Sequence, residues 1–380
     1  MKIKNIIVYN IILAVVVFIT AQVVTFQLTG SYILQNKPAS APKLASKKCT
    51  NNPIASRGST NDPQLKALVE YENVCQSAFV DNLMVFTNMP ISTEDANTMA
   101  DAMAGRLKQF DKFSVKPIVI VEPDTEWGLV DFHEYANGFY DLWIKDYFVR
   151  LKKNGVTNEQ MGIWIPFPEP QQEFWNNNKD PDDFANSVNR YFETLRTVFP
   201  AAQTGILLDS QTGETDQAPQ LLAYTRLVKE GLVDYAGLQG FPWHPREESD
   251  TRSSVISAEV FAPAYLAEEV AKSLRINKII LNTGSYRHKK AENGGAITIT
   301  TDERKQTLDS IFTEASRLKD DKYEVTVNIF AENKIETKEG VDWSYWQAGL
   351  YEQSDHKLLF TNLVYDLNQK GIKISIFDAR

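Results

Sequence analysis

Eight short apolar runs alternate with longer amphipathic segments from about residue 63 to the end of this 380-residue chain. Each run has the length and the branched or aromatic side chains of a buried strand, and each segment has helical spacing. This alternation predicts an α/β fold, a TIM-type (β/α)8 barrel. The predicted strands are Leu83–Thr87, Pro117–Val121, Gly162–Pro166, Gly205–Asp209, Tyr235–Gly240, Lys278–Asn282, Val325–Phe330 and Ile372–Phe377.

A doubly wound open sheet is the alternative arrangement. That fold usually has a glycine-rich phosphate loop after its first strand, whereas Asn88-Met89-Pro90 follows the first run here. Pro263 stands at the start of a predicted helix, where proline is tolerated. The predicted helices are Glu94–Phe110, Tyr140–Lys153, Asp182–Val198, Ala218–Glu230, Pro263–Leu274, Asp302–Leu318 and Lys357–Gln369.

The first 61 residues differ from the rest in charge and hydropathy. They contain seven Lys or Arg and no Asp or Glu, so all 49 acidic residues follow them. Ile6–Phe26 is an uncharged, mostly apolar run of 21 residues, which is the length of a membrane-spanning helix and longer than the apolar core of a signal peptide. We predict an uncleaved transmembrane anchor over residues 1–28, a flexible extracytoplasmic linker over 29–62 and the barrel over 63–380.

The charge pattern also predicts compartment and partners. An acidic barrel argues against nucleic acid as a partner. Lys2 and Lys4 favour a cytoplasmic N-terminus, although basic residues after the apolar run weaken that signal. We therefore expect a single-pass protein of the cell membrane whose C-terminal domain is extracytoplasmic. Cys49 and Cys75 fit an oxidising compartment and could form one disulfide, with two free thiols as the alternative.

One predicted strand, Gly162–Pro166, is followed at once by chemically useful side chains. Glu169 comes three residues after it, and Trp175 with several amides comes next. A barrel presents a general acid in this way, at the C-terminal end of a strand. Apolar, proline-flanked surroundings raise the pKa of a carboxyl group, which keeps it protonated. The alternative is a buried strand that ends in an ordinary solvated Glu.

Other strand ends carry carboxylates, aromatic rings and amides, a composition that suits sugars because rings stack on them and polar groups hydrogen-bond them. A single Trp is more often a core residue than a surface on which a sugar stacks. Several Trp residues follow strand ends here, which favours sugar binding. No metal-ligand spacing occurs among the four His, and we expect neither metal nor cofactor. The predicted site residues at strand ends are Glu122, Trp127, Glu169, Trp175, Asp209, Trp243, His244, Asn282, Tyr286 and Glu332.

Six short motifs follow one another between residue 116 and about residue 346. They are Lys116-Pro-Ile-Val-Ile-Val-Glu122-Pro, Asn137-Gly-Phe-Tyr-Asp141, Glu169, Asp234-Tyr-Ala-Gly-Leu-Gln-Gly-Phe-Pro-Trp243, Ile280-Leu-Asn-Thr-Gly-Ser285 and Phe330-Ala-Glu-Asn-Lys334 followed by Asp342-Trp343. In this order they distantly resemble glycoside hydrolase family 26, the mannanase-like (β/α)8 enzymes. The resemblance implies that Glu169 is the acid/base residue, that Phe241 and Trp343 border the sugar, and that the partner is a β-mannan-like or other surface polysaccharide.

The departures from that family concern its polar site residues. Asn282 stands where the family has its nucleophilic Glu, and an amide cannot form the glycosyl-enzyme ester. Phe241 stands at a Tyr position. Three functions stay open: a hydrolase with a relocated second carboxylate (Glu332, Asp209 or Glu122), a catalytically silent glycan-binding protein, or a structural surface protein. An Asn can also position water or a substrate's own acetamido group, so Asn282 does not exclude catalysis.

Overall fold

Eight parallel strands close into a barrel in the computed structural model of the protein, as the sequence predicts. The barrel strands are β1 (Asn82–Asn88), β2 (Lys116–Glu122), β3 (Ile163–Pro166), β4 (Gln203–Asp209), β5 (Tyr235–Gln239), β6 (Lys278–Thr283), β9 (Glu324–Ala331) and β12 (Lys373–Asp378). Their order around the barrel is β1-β12-β9-β6-β5-β4-β3-β2.

The structure describes Cys49 and residues 60–123, 132–171, 180–210, 218–240, 262–284, 288–290, 296–298, 301–331, 335–338, 341–344 and 354–378. The chain divides into two units, and all of these residues belong to the second, Lys47–Arg380. The predicted anchor and most of the predicted linker lie outside the described residues. Within the described part, no helix combines the length and the apolar character needed to cross a membrane.

Helices join successive strands, as expected for this fold. Most begin and end within a few residues of the predicted bounds, and Pro263 occupies the second position of its helix. The helices are α1 (Pro63–Cys75), α2 (Thr93–Lys112), α3 (Phe132–Ala136), α4 (Asp141–Lys153), α5 (Asn158–Met161), α6 (Pro181–Val198), α7 (Ala218–Ala223), α8 (Ala262–Leu274), α9 (Thr301–Asp320) and α10 (Ser354–Gln369).

The predicted helix Ala218–Glu230 was too long, because α7 ends at Ala223. The chain then makes successive turns, in which Thr225 N–H and Thr225 Oγ1 both donate to the carbonyl of Leu222. Asn189 on α6 accepts a hydrogen bond from Lys229 N–H at 2.8 Å. These bonds satisfy backbone groups that a continued helix would use.

Two antiparallel hairpins were not predicted. They pair β7 (His288–Lys290) with β8 (Ala296–Thr298), and β10 (Ile335–Lys338) with β11 (Val341–Ser344). Their strands are only three or four residues long, and they lack the apolar runs on which strand prediction depends.

Two hydrophobic clusters stabilise the fold. The larger lies between the strands and the helices, and the smaller fills the barrel. Ile118 and Ile120 of β2 belong to the inner cluster, whereas Val119 and Val121 belong to the outer one. Because side chains alternate along a strand, this assignment shows which residues of each strand point into the barrel.

The last strand, β12, completes the barrel by pairing with β9 on one side and β1 on the other. Nearby, a disulfide joins Cys49 to Cys75 at the end of α1, with 4.9 Å between their Cα atoms. Buried Glu72 of α1 accepts hydrogen bonds from the N–H groups of Phe79 and Val80. These contacts tie Cys49 and α1 to the entry of β1.

Candidate functional site

Inward-facing polar side chains collect at the C-terminal ends of neighbouring strands. Two residues beyond the inward isoleucine or leucine of β2, β4 and β6 come Glu122, Asp209 and Asn282. Asp209 and Asn282 are buried, and Glu122 is partly exposed. The mouth of the barrel is therefore lined by two carboxyl groups and an amide, at the end where (β/α)8 barrels carry their sites.

Glu169 lies three residues beyond β3, where the backbone leaves the strand. Phe167 and Glu169 have positive φ angles of 51° and 54°, a conformation that costs free energy for residues with side chains. Phe167 N–H donates to the Val121 carbonyl at 3.0 Å, and Glu169 N–H donates to the Leu207 carbonyl at 2.7 Å. These two bonds fasten the segment to β2 and β4 and so fix Glu169 at the mouth.

Aromatic packing holds the same segment from the outer side. The fully buried ring of Phe167 meets the rings of Phe132 and Tyr135 edge to face, at centroid distances of 5.5 and 4.8 Å. Gln171 Nε2 donates to the carbonyl of Asp209. Hydrogen bonds and ring contacts thus hold the strained turn in place. Strained backbone at functional sites persists when the surrounding structure holds it in this way.

The carboxyl group of Glu169 has an unusual electrostatic environment. Burial raises its pKa well above the usual value, and the charges of Asp209 and then Glu122 raise it further. Both effects disfavour the ionised form of Glu169, whose charge would be the third negative charge at the mouth. Glu169 therefore keeps its proton at pH values where ordinary Glu side chains are ionised, as a general acid must.

Asn282 is held by amides on both sides. Asn328 of β9 donates from Nδ2 to Asn282 Oδ1 at 2.6 Å, and Asn282 Nδ2 donates to Gln239 Oε1 of β5 at 2.6 Å. The three residues are lateral neighbours in the ladder. The family resemblance implies a nucleophile at this position. Asn282 is instead uncharged, and it connects the two neighbouring amides by hydrogen bonds.

A cavity of about 320 Å³ opens beside Asp209. Gln171, Asp209 and Gln220 supply polar groups to its wall, and Tyr224 and Leu221 supply apolar surface. Its volume is at the lower end of the range for small-molecule pockets, roughly 300–1,000 Å³. Within the described ranges, no three His, Cys, Asp or Glu side chains are placed to hold a metal ion.

The structure brings together four of the residues predicted from sequence: Glu122, Glu169, Asp209 and Asn282. Trp343 lies on β11, but its side chain is not among those described. The remaining predicted site residues lie outside the described residues, and their roles stay predictions; they are Trp127, Trp175, Phe241, Trp243, His244, Tyr286 and Glu332.

Sequence reasoning missed Asn328, and it named Gln171 only as one of several amides after Glu169. Asn328 interrupts the apolar run of β9, and a fully buried amide inside a strand needs hydrogen-bond partners. That polar interruption is a sequence signal for an inward polar residue. The contact of Gln171 with the Asp209 backbone could not be predicted, because it depends on the turn around Glu169.

Comparisons with known proteins support the architecture. No family model and no curated relative matches the chain. Among solved structures, a fungal β-1,4-galactanase is 12% identical, with 77% of this chain and 90% of that one covered at a TM-score of 0.51. A β-glucosidase from Thermotoga maritima in complex with azafagomine is 10% identical, covering 80% and 86% at a TM-score of 0.50. Both structural neighbours are glycoside hydrolases, and at this identity the likeness is one of fold.

Proposed function

We propose that this protein is a glycoside hydrolase acting on a surface polysaccharide, with Glu169 as general acid and base. The observation that carries the proposal is the raised pKa of Glu169 at the barrel mouth, beside two other carboxyl groups. A protonated carboxyl can give its proton to the departing glycosidic oxygen, while an ionised one acts as nucleophile or activates water. The names of the two structural neighbours, a β-glucosidase and a β-1,4-galactanase, support a glycoside as substrate.

The second carboxyl group is Asp209 or Glu122 in this proposal. Both act on the pKa of Glu169 through their charge, and Asp209 has the larger effect. Glu332 is a further sequence-based candidate outside the described residues. β-Mannan belongs among the substrates to test, because the motif order in the sequence resembles the mannanase-like family.

A second candidate function is glycan binding without cleavage. The observation that favours it is Asn282, which is buried and hydrogen-bonded on both sides. A side chain locked in this way cannot replace a nucleophilic carboxylate. The amides and carboxyl groups of the mouth would then bind the sugar without breaking a bond.

We further propose that the barrel acts outside the cytoplasm, anchored to the cell membrane by the N-terminal apolar run. The length of Ile6–Phe26 supports the anchor. The Cys49–Cys75 disulfide supports an oxidising compartment for the barrel.

Release of reducing sugar from a polysaccharide panel tests the hydrolase. The panel includes β-mannan, β-1,4-galactan, β-glucans and chitin, with Glu169→Gln as the key variant. Because the amide cannot transfer a proton, we expect this variant to lose at least about a hundredfold in rate. Glu159→Gln is the matched control, since Glu159 is an exposed carboxyl group just before the opposite end of β3.

The outcomes separate the two candidate functions. Cleavage by the wild type and by Glu159→Gln, but not by Glu169→Gln, supports the hydrolase. Binding of a polysaccharide without any release of reducing ends supports the glycan-binding protein. If Glu169→Gln cleaves as fast as the wild type, Glu169 is not the acid.

A further inference from the structure

Exposed apolar side chains cluster where α4 begins. Phe139 and Leu142 are each 62% exposed, and Trp143 is partly exposed. The ring of Phe139 meets that of Trp143 edge to face, with 5.7 Å between the centroids. These three side chains are called the aromatic rim below. Exposed apolar side chains that are scattered singly need no explanation, whereas a cluster of them marks a surface that binds something.

The aromatic rim lies at the mouth end of the barrel. Strand β2 ends at Glu122 in the mouth, and β3, which is parallel to β2, begins at Ile163 at the opposite end. Helix α4 carries the chain back between these two points, so its first residues lie at the mouth end and its last residues at the other. The aromatic rim is therefore on the same side of the molecule as Glu169.

Ring contacts connect the aromatic rim to the turn that carries Glu169. Phe167, two residues before Glu169, meets the ring of Tyr135 at a centroid distance of 4.8 Å. Tyr135 stacks on Tyr140 at 4.0 Å, and Tyr140 meets Phe139 at 5.0 Å. The exposed surface is thus continuous with the candidate site, and two rings separate Phe139 from Phe167.

The segment that carries the aromatic rim is held in place by its neighbours. Gly138 has a φ of 83°, and a Cβ added there would overlap Nη2 of Arg190. Arg190 Nε donates to Asp141 Oδ1 at 3.2 Å, in the first turn of α4. Tyr140 Oη donates to Glu134 Oε2 at 3.0 Å. A surface fixed in this way loses little conformational entropy when a ligand binds.

The chemistry of the aromatic rim fits a neutral sugar chain. Sugar rings present C–H groups that pack on an aromatic face and hydroxyl groups that donate to nearby acceptors. Phe139 supplies an exposed ring, and Glu134 and Asn137, both exposed, supply oxygen acceptors in the same segment.

Two other occupants fit less well. A membrane surface would bring the Glu134 carboxylate against anionic headgroups, which repel it, or would bury its charge at a cost in free energy. A stable contact between two copies of the chain buries roughly 800 Å² on each partner, which is more than three partly exposed side chains provide.

We propose that the aromatic rim binds a neutral polysaccharide at a sugar unit away from the bond that Glu169 cleaves. This inference rests on the proposed function, because it concerns the same substrate chain, which extends from the Glu169 centre to Phe139. The substrate class is accordingly a polymer, since a disaccharide bound beside Glu169 leaves the aromatic rim uncovered.

Retention in native gels that contain a polysaccharide tests this surface without requiring cleavage. The full chain carrying Glu169→Gln is run in detergent through gels with β-mannan, β-1,4-galactan, β-glucan or glycol chitin, and we expect at least one polymer to slow its migration. Adding Phe139→Leu removes the ring but keeps an apolar side chain, so the dissociation constant should rise about fivefold or more as stacked area is lost. Adding Phe139→Trp keeps a ring and should keep the retention.

Val149→Ser is the matched control. Val149 is also an exposed apolar residue of α4, but it lies about two turns further from the mouth than Leu142. This variant should be retained as strongly as the chain that carries Glu169→Gln alone. Thermal unfolding of all variants checks that none loses retention by unfolding.

Cleavage gives a second readout in the chain that keeps Glu169. Phe139→Leu should raise the KM for the retained polysaccharide by a similar factor, because binding at the aromatic rim is lost while the Glu169 centre is unchanged. The rate on a trisaccharide of the same linkage should stay that of the wild type. Equal effects on the polymer and the trisaccharide would contradict a separate sugar-binding surface.

The outcomes distinguish this proposal from the proposed function. If no polysaccharide retains the chain, or if Phe139→Leu is retained like Val149→Ser, the aromatic rim does not bind glycan, and cleavage dependent on Glu169 would leave the hydrolase intact. Retention that depends on Phe139 without cleavage by the wild type would support the aromatic rim and overturn the hydrolase. If Phe139→Leu instead weakens only self-association or binding to lipid vesicles, the surface serves that partner and the proposal is wrong.

Discussion

Glu169 combines two properties that each cost stability, a left-handed backbone and a carboxyl group with limited solvation. The φ angle of 54° disfavours any residue with a side chain, and the raised pKa shows that ionisation at this position is penalised. The surrounding backbone hydrogen bonds and aromatic contacts offset the cost of the backbone conformation, whereas the cost of ionisation shows as the raised pKa. A residue retained under such conditions is a candidate for function.

The raised pKa predicts a stability change with pH. Above the usual pKa of 4.5 and up to the higher folded value, the folded state binds more protons than the unfolded state, so stability falls as pH rises. Glu169→Gln removes this loss and should gain stability relative to the wild type as the pH rises above 4.5. Each unit of pKa elevation corresponds to about 1.4 kcal/mol, which urea unfolding at several pH values can measure.

Glu159→Gln is the control for this measurement. The Glu159 side chain is exposed, and hydrogen bonds from Thr157 and the Glu159 backbone lower the pKa of its carboxyl group. This variant should not show the gain at high pH. Parallel stability curves for the wild type and Glu169→Gln would contradict a raised pKa in the folded protein.

The sequence predicts which residues lie at the ends of the strands, but not how their side chains are arranged relative to one another. Glu169 was recognisable because an apolar run stops just before it. The turn that gives Glu169 its backbone angle has no local signature, because it depends on carbonyl groups of β2 and β4.

At the scale of the element, β3 depends on the glycine that precedes it. Gly162 has a φ of 65°, and a Cβ added there would lie 2.2 Å from the carbonyl oxygen of Pro117 in β2. Strand β3 approaches β2 this closely only because the side chain is absent. This close contact at Gly162 therefore helps to position β3 beside β2, and Glu169 follows β3.

Gly162→Ala should destabilise the fold more than the same change at Gly231. Gly231 also has a positive φ, 76°, but an added Cβ would meet nothing within 4 Å. We expect Gly231→Ala to cost about 1 kcal/mol from backbone strain alone, and Gly162→Ala to cost about 3 kcal/mol or more because overpacking adds to that strain. Urea denaturation measures both, and equal losses would show that the approach to Pro117 is not tight.

Strand positions were more predictable than helix ends. Strands buried on both faces read as continuous apolar runs, and all eight runs became barrel strands. The end of α7 was missed because tertiary hydrogen bonds, such as that from Lys229 N–H to Asn189, compete with the helix. The hairpins were missed because strands of three or four residues are too short to show a periodic signal.

At the scale of the whole molecule, charge and hydropathy divide the chain near residue 61. All 49 acidic residues follow residue 61, and the charged residues before it are all basic. We expect the full chain to fractionate with membranes and to resist extraction by high salt. A shortened chain that begins at Lys47, the first residue of the barrel unit, should fractionate without them.

Thermal unfolding of the shortened chain provides the control for this experiment. It keeps Cys49 and Cys75, and so it should keep the disulfide and a cooperative transition like that of the full chain. Equal membrane association of the two chains would contradict the anchor. Failure of the full chain to associate with membranes would contradict it as well.

Closure by β12 has a consequence for biosynthesis. The strand that seals the barrel between β9 and β1 is Lys373–Asp378, the last of the eight barrel strands along the sequence. The other seven barrel strands are therefore synthesised before the one that completes the hydrogen-bonded ring. A premature stop codon before β12 would leave the edges of β1 and β9 open to self-association.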